Sequence, residues 1–212
     1  MGHAMKLSAG LRGAVILGLI LCLPAAGWAA FTLSHRLVAD DGAPPALPQF
    51  IPANPPRPAP EIGFVDSEGK RLTLADFRGR IVLVNLWATW CQPCIREMPS
   101  LDRLRAALPE QDLAIVLISQ DRGGDKVVAP FFAKLGLAAL KTYLDPQSTV
   151  GHALEVRGLP TSVLFDRDGN ELGRVEGAVE WDGAPAQALL RWHIDHGGAA
   201  KTDDIIKTSV QR

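Results

Sequence analysis

From about residue 61 onward, apolar positions fall into short runs whose period switches between that of strands and that of helices. Residues 63–66 and 71–74 flank Ser67-Glu68-Gly69-Lys70, which predicts a β-hairpin. Residues 81–87 form a near-continuous apolar run, as expected of a strand buried on both faces. Residues 93–108 read as a helix, 113–119 as a second apolar strand, and 127–135 as a short helical insert. Asp145-Pro146 has the form of an N-cap followed by proline at the first helical position, which predicts another helix there. Residues 161–166 and 171–177 read as strands joined at Arg167-Asp168-Gly169-Asn170, and 184–193 as a closing helix. The order hairpin, βαβ, helices, ββ, helix is that of an α/β sandwich with a mixed central sheet.

The first third of the chain has a different pattern. Lys6 and Arg12 precede an uncharged stretch over 13–34, about 22 residues, enough to cross a bilayer as a helix. The positive flank points the N-terminus into the cytoplasm, so the rest would lie outside. A cleaved signal peptide is the alternative: Pro24 would end its apolar region and Gly27-Trp28-Ala29 would supply the cleavage site near Ala29. The anchor is preferred because apolar character continues through Phe31 and Leu33. Either way the same domain is exported. Residues 40–60 hold eight prolines and read as an extended linker. The predicted organisation is therefore an anchor or signal region over 1–39, a linker over 40–60, a folded domain over 61–196 and a polar tail over 197–212.

Net charge is −1, which gives no basic field for nucleic acid. Three cysteines make no wider disulfide framework, so the fold rests on its core. Cys22 lies in the N-terminal apolar run. Cys91 and Cys94 lie in Trp87-Ala88-Thr89-Trp90-Cys91-Gln92-Pro93-Cys94, after the buried strand and at the start of a helix. There the unpaired N–H groups and the helix dipole favour a thiolate at Cys91. Cys94, one turn on, can attack a mixed disulfide formed at Cys91. Pro93 is tolerated in the first turn, where its missing N–H costs nothing. Cys91 is expected to be the exposed nucleophile and Cys94 the more buried resolving thiol.

At this point the chain resembles the TlpA/ResA/CcmG group, thioredoxin-fold thiol–disulfide oxidoreductases tethered in the periplasm. The resemblance covers about residues 61–195. It rests on Trp-Cys-x-Pro-Cys after an apolar strand, on Pro99, on Val156-Arg157-Gly158-Leu159-Pro160-Thr161, and on the export segment with its linker. It implies a thioredoxin-like sandwich: a mixed central sheet flanked by helices, an N-terminal β-hairpin and a small helical insert. It implies a cis peptide bond before Pro160 beside the active disulfide, a minority state for X–Pro bonds in general. The backbone of Leu159 would then be free to pair with a substrate strand. Asn85 stands where thioredoxins proper carry a buried aspartate, and an amide cannot titrate. Glu97 matches the acidic residue of the group and would tune the thiols and relay protons; from the sequence alone it equally suits a solvated helix face. Trp90 would shape the contact surface beside the disulfide, whereas Trp87 reads as core.

The resulting expectation is a membrane-tethered periplasmic oxidoreductase that acts as a reductase by dithiol–disulfide exchange at Cys91 and Cys94. It needs no cofactor beyond the Cys91–Cys94 redox-active disulfide and no metal. Its implied partners are protein disulfides, including those of apocytochrome c in cytochrome c biogenesis, and a CcdA- or DsbD-like membrane thiol donor. A periplasmic oxidant or isomerase is the runner-up, and a redox-inert binding module the non-enzymatic alternative. A zinc site is disfavoured because the only partners in sight for the cysteines are the distant His193 and His196, where four ligands are needed. The pair reads instead as a polar helix end. Peroxidase chemistry of the peroxiredoxin kind is disfavoured by the spacing of Thr89 and by the tryptophan–cysteine pair. Asp121-Arg122-Gly123-Gly124-Asp125 reads as a surface turn.

Overall fold

The computed structural model describes residues 43–197. The expected anchor or signal segment with Cys22, the first residues of the proline-rich stretch and the tail beyond 197 lie outside the described residues. Thirteen elements follow in chain order: β1 (Phe50–Pro58), β2 (Gly63–Val65), β3 (Arg71–Thr73), a 3₁₀ turn (Leu74–Phe77), β4 (Ile81–Trp87), α1 (Gln92–Ala107), β5 (Leu113–Ser119), α2 (Asp125–Leu135), β6 (Thr142–Leu144), α3 (Thr149–Ala153), β7 (Thr161–Phe165), β8 (Asn170–Glu176) and α4 (Ala184–His196). The strands form one sheet in the order β1-β8-β7-β4-β5-β6-β2-β3. β4 runs parallel to β5 and antiparallel to β7, so the sheet is mixed, as predicted. Among the described residues no helix is long and apolar enough to cross a membrane.

The period of two in β4 sets the two layers of the core. Ile81, Leu83 and Trp87 face one side, where Met98, Leu101 and Leu104 of α1 and Leu189 and Leu190 of α4 pack. Val82, Val84 and Leu86 face the other, with Val150 and Leu154 at α3 and Leu74 and Phe77 at the 3₁₀ turn. All seven residues of β4 are buried, and so are all seven of β5. Both were read from their unbroken apolar runs with these same bounds. α2 lies over Trp87, whose ring meets Phe131 and Phe132 at 6.4 and 6.0 Å. In α2 Val128 takes the buried position, while Val127 is exposed.

The proline-rich stretch is not a free linker. Residues 50–58 form β1, an edge strand antiparallel to β8, and Leu47 before it is buried. Proline cannot donate to a ladder, so within sheets it is confined to edges and irregularities. β1 meets both conditions: it ends the sheet, and its register shifts between Pro52 and Arg57, a stretch that includes the cis Asn54–Pro55 bond. β1 also lays Phe50 against His193, with ring centroids 6.3 Å apart. His193 is therefore buried rather than part of a polar helix end, and burial lowers its pKa to about 4.

Two further expectations shift. The helix forecast at Asp145-Pro146 starts later, at Thr149. Asp145 caps it from a distance: its carboxylate accepts from the N–H groups of Thr149 and Val150 at 2.9 and 2.8 Å. β6 and the 3₁₀ turn, three and four residues long, went unread in the sequence.

Gly173 lets β1 approach β8. A Cβ there would sit 2.5 Å from the Ile51 carbonyl oxygen and 2.5 Å from Phe50 Cζ, at a φ of +156°. Gly173→Ala should lower stability by about 1–3 kcal/mol through this overlap. Urea unfolding of the variant checks it; an unchanged midpoint would mean that β1 contributes nothing to the folded domain.

Candidate active site

The end of β4 and the start of α1 build the site. Trp87 is the last residue of the strand and Gln92 the first of the helix, which makes Cys91 the N-cap. Cys91 has extended backbone angles, and its Sγ accepts from the N–H of Cys94 at 3.3 Å. The cysteines form a disulfide. Pro93 occupies the first turn, where no backbone donor is lost. Cys94 is fully buried, while Cys91 is 5 % exposed. The expected order of accessibility holds, but Cys91 is nearly buried rather than exposed. The loop 88–90 folds back at the helix start: the Cys91 N–H donates to the Ala88 carbonyl at 3.1 Å.

That loop is pinned by a residue the sequence did not reveal. Asp121, just past β5, is buried. Its carboxylate accepts from the Thr89 N–H at 2.8 Å, the Thr89 hydroxyl at 2.7 Å and the Ser119 hydroxyl at 2.8 Å. What read as a surface turn therefore begins with an inward-facing carboxylate that fixes the approach to Cys91. No local pattern announces this, because the partner lies 32 residues away.

Glu97 sits three residues after Cys94 on α1 and is 2 % exposed. This excludes the solvated-face reading. Its Oε1 accepts from Asn85 Nδ2 at 2.7 Å and its Oε2 from the Val179 N–H at 3.1 Å. Asn85 reaches it because the alternation of β4 turns Ile81, Leu83, Asn85 and Trp87 toward α1. The same amide donates to the Ser162 hydroxyl at 2.9 Å, across the β4–β7 pairing. Burial raises the Glu97 pKa to about 7, against the opposing pull of the Asn85 and Val179 hydrogen bonds. The arrangement thus joins a cysteine pair at a helix start to a carboxyl, one turn along, that exchanges its proton near neutral pH.

The second wall of the site is the loop before β7. The Leu159–Pro160 bond is cis, as the resemblance implied. Pro160 is buried, and its carbonyl accepts from the Gly177 N–H at 2.9 Å. Leu159 packs against the core cluster that contains both cysteines. Among the described residues, neither the N–H nor the C=O of Leu159 has a backbone partner. Trp90 is 67 % exposed and lines, with Leu159, a groove of about 510 Å³. The sequence-derived residues Cys91, Cys94, Pro93, Glu97, Trp90, Leu159 and Pro160 thus fall on two adjoining segments of one site. Among the described residues no group of three His, Cys, Asp or Glu side chains gathers where a metal could be held.

With this geometry established, comparison with known proteins places the chain. The sequence pattern of the AhpC/TSA family matches residues 55–170. The chain is 34 % identical over 119 residues to the thiol-disulfide oxidoreductase ResA of Bacillus thuringiensis, covering 56 % of this chain and 68 % of that one. It is 30 % identical over 163 residues to the ResA of Bacillus cereus strain ZK / E33L, covering 77 % and 86 %. Among solved structures, a chain from Chlorobium tepidum described as a thiol:disulfide interchange protein DsbE superposes with a TM-score of 0.58 at 26 % identity, over 68 % of this chain and 97 % of the other. StoA of Bacillus subtilis shares the fold, with a TM-score of 0.52 at 22 % identity, over 64 % and 98 %.

The buried carboxyl has a measurable consequence. Its pKa in the folded state lies above the ordinary 4.5. Glu97 therefore holds an extra proton in the folded state between about pH 4.5 and 7, and its contribution to stability is greatest below that window and falls as pH rises through it. The loss is about 3 kcal/mol. The stability difference between the unsubstituted oxidised protein and Glu97→Gln, read by urea unfolding, should fall by this amount as pH rises across the range, because His193, whose lowered pKa works in the opposite sense, is common to both. An identical slope in the variant would assign the titration to another group.

Proposed function

The chain belongs to the AhpC/TSA family and is a thiol–disulfide oxidoreductase of the ResA type; on that premise we propose that it is a reductase of protein disulfides, held on the outer side of a bacterial inner membrane. The observation that carries the proposal is the Cys91–Cys94 pair at the start of α1 with the Glu97 carboxyl buried one turn along the same helix.

The exchange runs in two steps. The Cys91 thiolate attacks one sulfur of a substrate disulfide, forms a mixed disulfide and releases the other substrate sulfur as a thiolate. The Cys94 thiol gives up its proton and attacks Cys91 Sγ, which breaks the mixed disulfide and releases the second substrate thiolate. The substrate gains two electrons and the protein is left oxidised as Cys91–Cys94. Cys91 leads because it is the less buried of the two cysteines and caps the start of α1, where the Cys94 N–H donates to its Sγ. Glu97 is the acceptor and donor for the proton of the resolving step, since its pKa of about 7 suits transfer in both directions near neutrality. Trp90 and the unpaired backbone of Leu159 receive the substrate segment.

The reducing direction rests on likeness to ResA. A reductase in an oxidising compartment needs its own electron source, and a membrane thiol donor of the CcdA or DsbD kind fits a protein tethered by residues 13–34. Disulfides at the haem-binding cysteines of apocytochrome c are the substrates this reading favours. Cleavage near Ala29 would leave the same domain free in the periplasm, and recovery of the full-length chain from washed membranes separates the two cases.

Direction is decided by equilibration with glutathione. The Cys91–Cys94 couple should lie nearer the ~−270 mV of thioredoxin than the ~−120 mV of DsbA. A value above about −150 mV would make the protein an oxidant or isomerase. Cys94→Ser should accumulate a mixed disulfide between Cys91 and a substrate, visible on non-reducing gels. Cys91→Ser should lose insulin reduction altogether. Reduction of insulin at wild-type rate by Cys91→Ser would remove Cys91 from the lead role.

A further inference from the structure

Trp90, next to Cys91 in the chain, joins the groove to the active-site loop, although neither cysteine lines it. The rest of it has a charge character that the exchange does not require. Its walls come from three connections: the loop before α1, residues 120–122 after β5, and the stretch from α3 to the cis-proline loop. Arg122, His152 and Arg157 line it, and all three are exposed. Asp121 is the only carboxylate in the lining. It is buried and already accepts three hydrogen bonds from Thr89 and Ser119. Glu155, close by in sequence, accepts from Arg57 at 3.1 Å and is not part of the lining. Among the described residues, neither Arg122 nor Arg157 has a carboxylate within 4.0 Å. Arg157 acts only weakly, through space, on Glu155.

Two guanidinium groups without ion-pair partners, set in a groove that Trp90 of the active-site loop also lines, form a recognition surface for negative charge. Guanidinium suits this task because its planar fork matches a carboxylate with two parallel hydrogen bonds. Gly151 and Gln120 lie against each other in the lining, where a Cβ at 151 would meet Gln120 Oε1 at 2.8 Å. The unpaired peptide groups of Leu159 lie in the same lining and suit an extended polypeptide.

We infer that the groove selects protein disulfides flanked by acidic residues, with Arg122 and Arg157 holding the carboxylates of an extended segment that runs from Leu159 past Trp90. This rests on the exchange reaction proposed above and adds its substrate class. Trp90 supplies apolar contact at the disulfide end, and the two arginines supply charge selection away from it. The attraction is exposed to solvent, so it acts mainly on the encounter rate and weakens with salt.

The test uses the full-length reduced protein and three synthetic peptides. Each carries one disulfide of the same ring size, flanked by three Glu, three Gln or three Lys residues. The second-order rate of exchange is measured at about 0.01 M and about 1 M ionic strength. At low salt the Glu-flanked peptide should react about tenfold faster than the Gln-flanked one. The Lys-flanked peptide should be slowest, and the differences should collapse at high salt. The double substitution Arg122→Gln with Arg157→Gln should bring the Glu-to-Gln rate ratio to about one. Arg191→Gln together with Lys134→Gln, an equal loss of charge at exposed positions outside the groove lining, should leave that ratio as it is in the unsubstituted protein. Equal rates for the Glu and Gln peptides, or a preference that survives the double substitution, would overturn the inference while leaving the exchange reaction intact. A low-salt advantage confined to oxidised glutathione would overturn it in favour of a small-thiol site. Failure of all three peptides to react would sink the exchange reading itself, and the inference with it.

Discussion

The structure depends on one junction: β4, buried on both faces, stops at Trp87, and α1 begins five residues later over Cys91. A helix start leaves its first N–H groups without partners inside the helix. Here one of them, that of Cys94, points at Cys91 Sγ. The sulfur is therefore the cap of its own helix, and a negative charge on it replaces a missing acceptor. The position is rigid because β4 lies in mid-sheet, hydrogen-bonded on one edge to β5 and on the other to β7. The loop between strand and helix cannot drift either, since Asp121 holds Thr89 by both its N–H and its hydroxyl. Pre-organisation of this kind spares the reaction the cost of ordering the nucleophile.

The same strand carries the second chemical element. A residue of β4 that faces α1 is ordinarily apolar, as Ile81, Leu83 and Trp87 are. Asn85 breaks the series and gives Glu97 a donor in an otherwise dry layer. Burying a carboxylate without partners costs several kcal/mol, and the usual escape is to hold the proton. Glu97 stands between these limits. Two hydrogen bonds make the charged form tolerable, while burial keeps its pKa near 7. Were it exposed, the carboxyl would ionise in the ordinary acid range and could not hold a proton at neutral pH. Asn85 differs from a carboxylate in that it cannot compete for the proton, which leaves Glu97 as the titrating group at this level of the helix.

What was legible in the sequence follows from where each signal resides. β4 and β5 were read with their observed bounds because strands buried on both faces show near-continuous apolar runs. The cysteine pair was legible because its spacing and the helix start beneath it are local. The proline-rich stretch was misread because its composition suits a free extended chain as well as an edge strand, and only pairing with β8 distinguishes them. Burial of Glu97 could not be read because a glutamate in a helix is ordinarily solvated, and the partner that makes its burial tolerable, Asn85, lies on a different element, β4. Asp121 was illegible for a related reason: a surface-turn composition hid a carboxylate whose work is done on a loop 32 residues away. Local signals gave the elements and the thiols, while long-range polar pairs gave the environment that tunes them.

The division of the site between frame and connections carries a consequence for specificity. Cys91, Cys94, Asn85 and Glu97 lie on or at the ends of elements packed into the core. Trp90, Arg122, Arg157 and Leu159 lie on the connections that edge the groove. Packed positions tolerate little change, because each fills a shape set by its neighbours. Connections run over the surface and accept substitution at small cost to stability. The exchange chemistry can therefore stay fixed while the surface that chooses its substrate varies. Charge on the groove is the most economical variable, since replacing an exposed arginine changes which segment approaches without moving either sulfur. Only the cis-proline loop belongs to both sets: Leu159 packs on the core by its side chain and offers its peptide groups to the groove. On the proposed reading, that loop is where selection of a substrate and alignment of its disulfide become a single event.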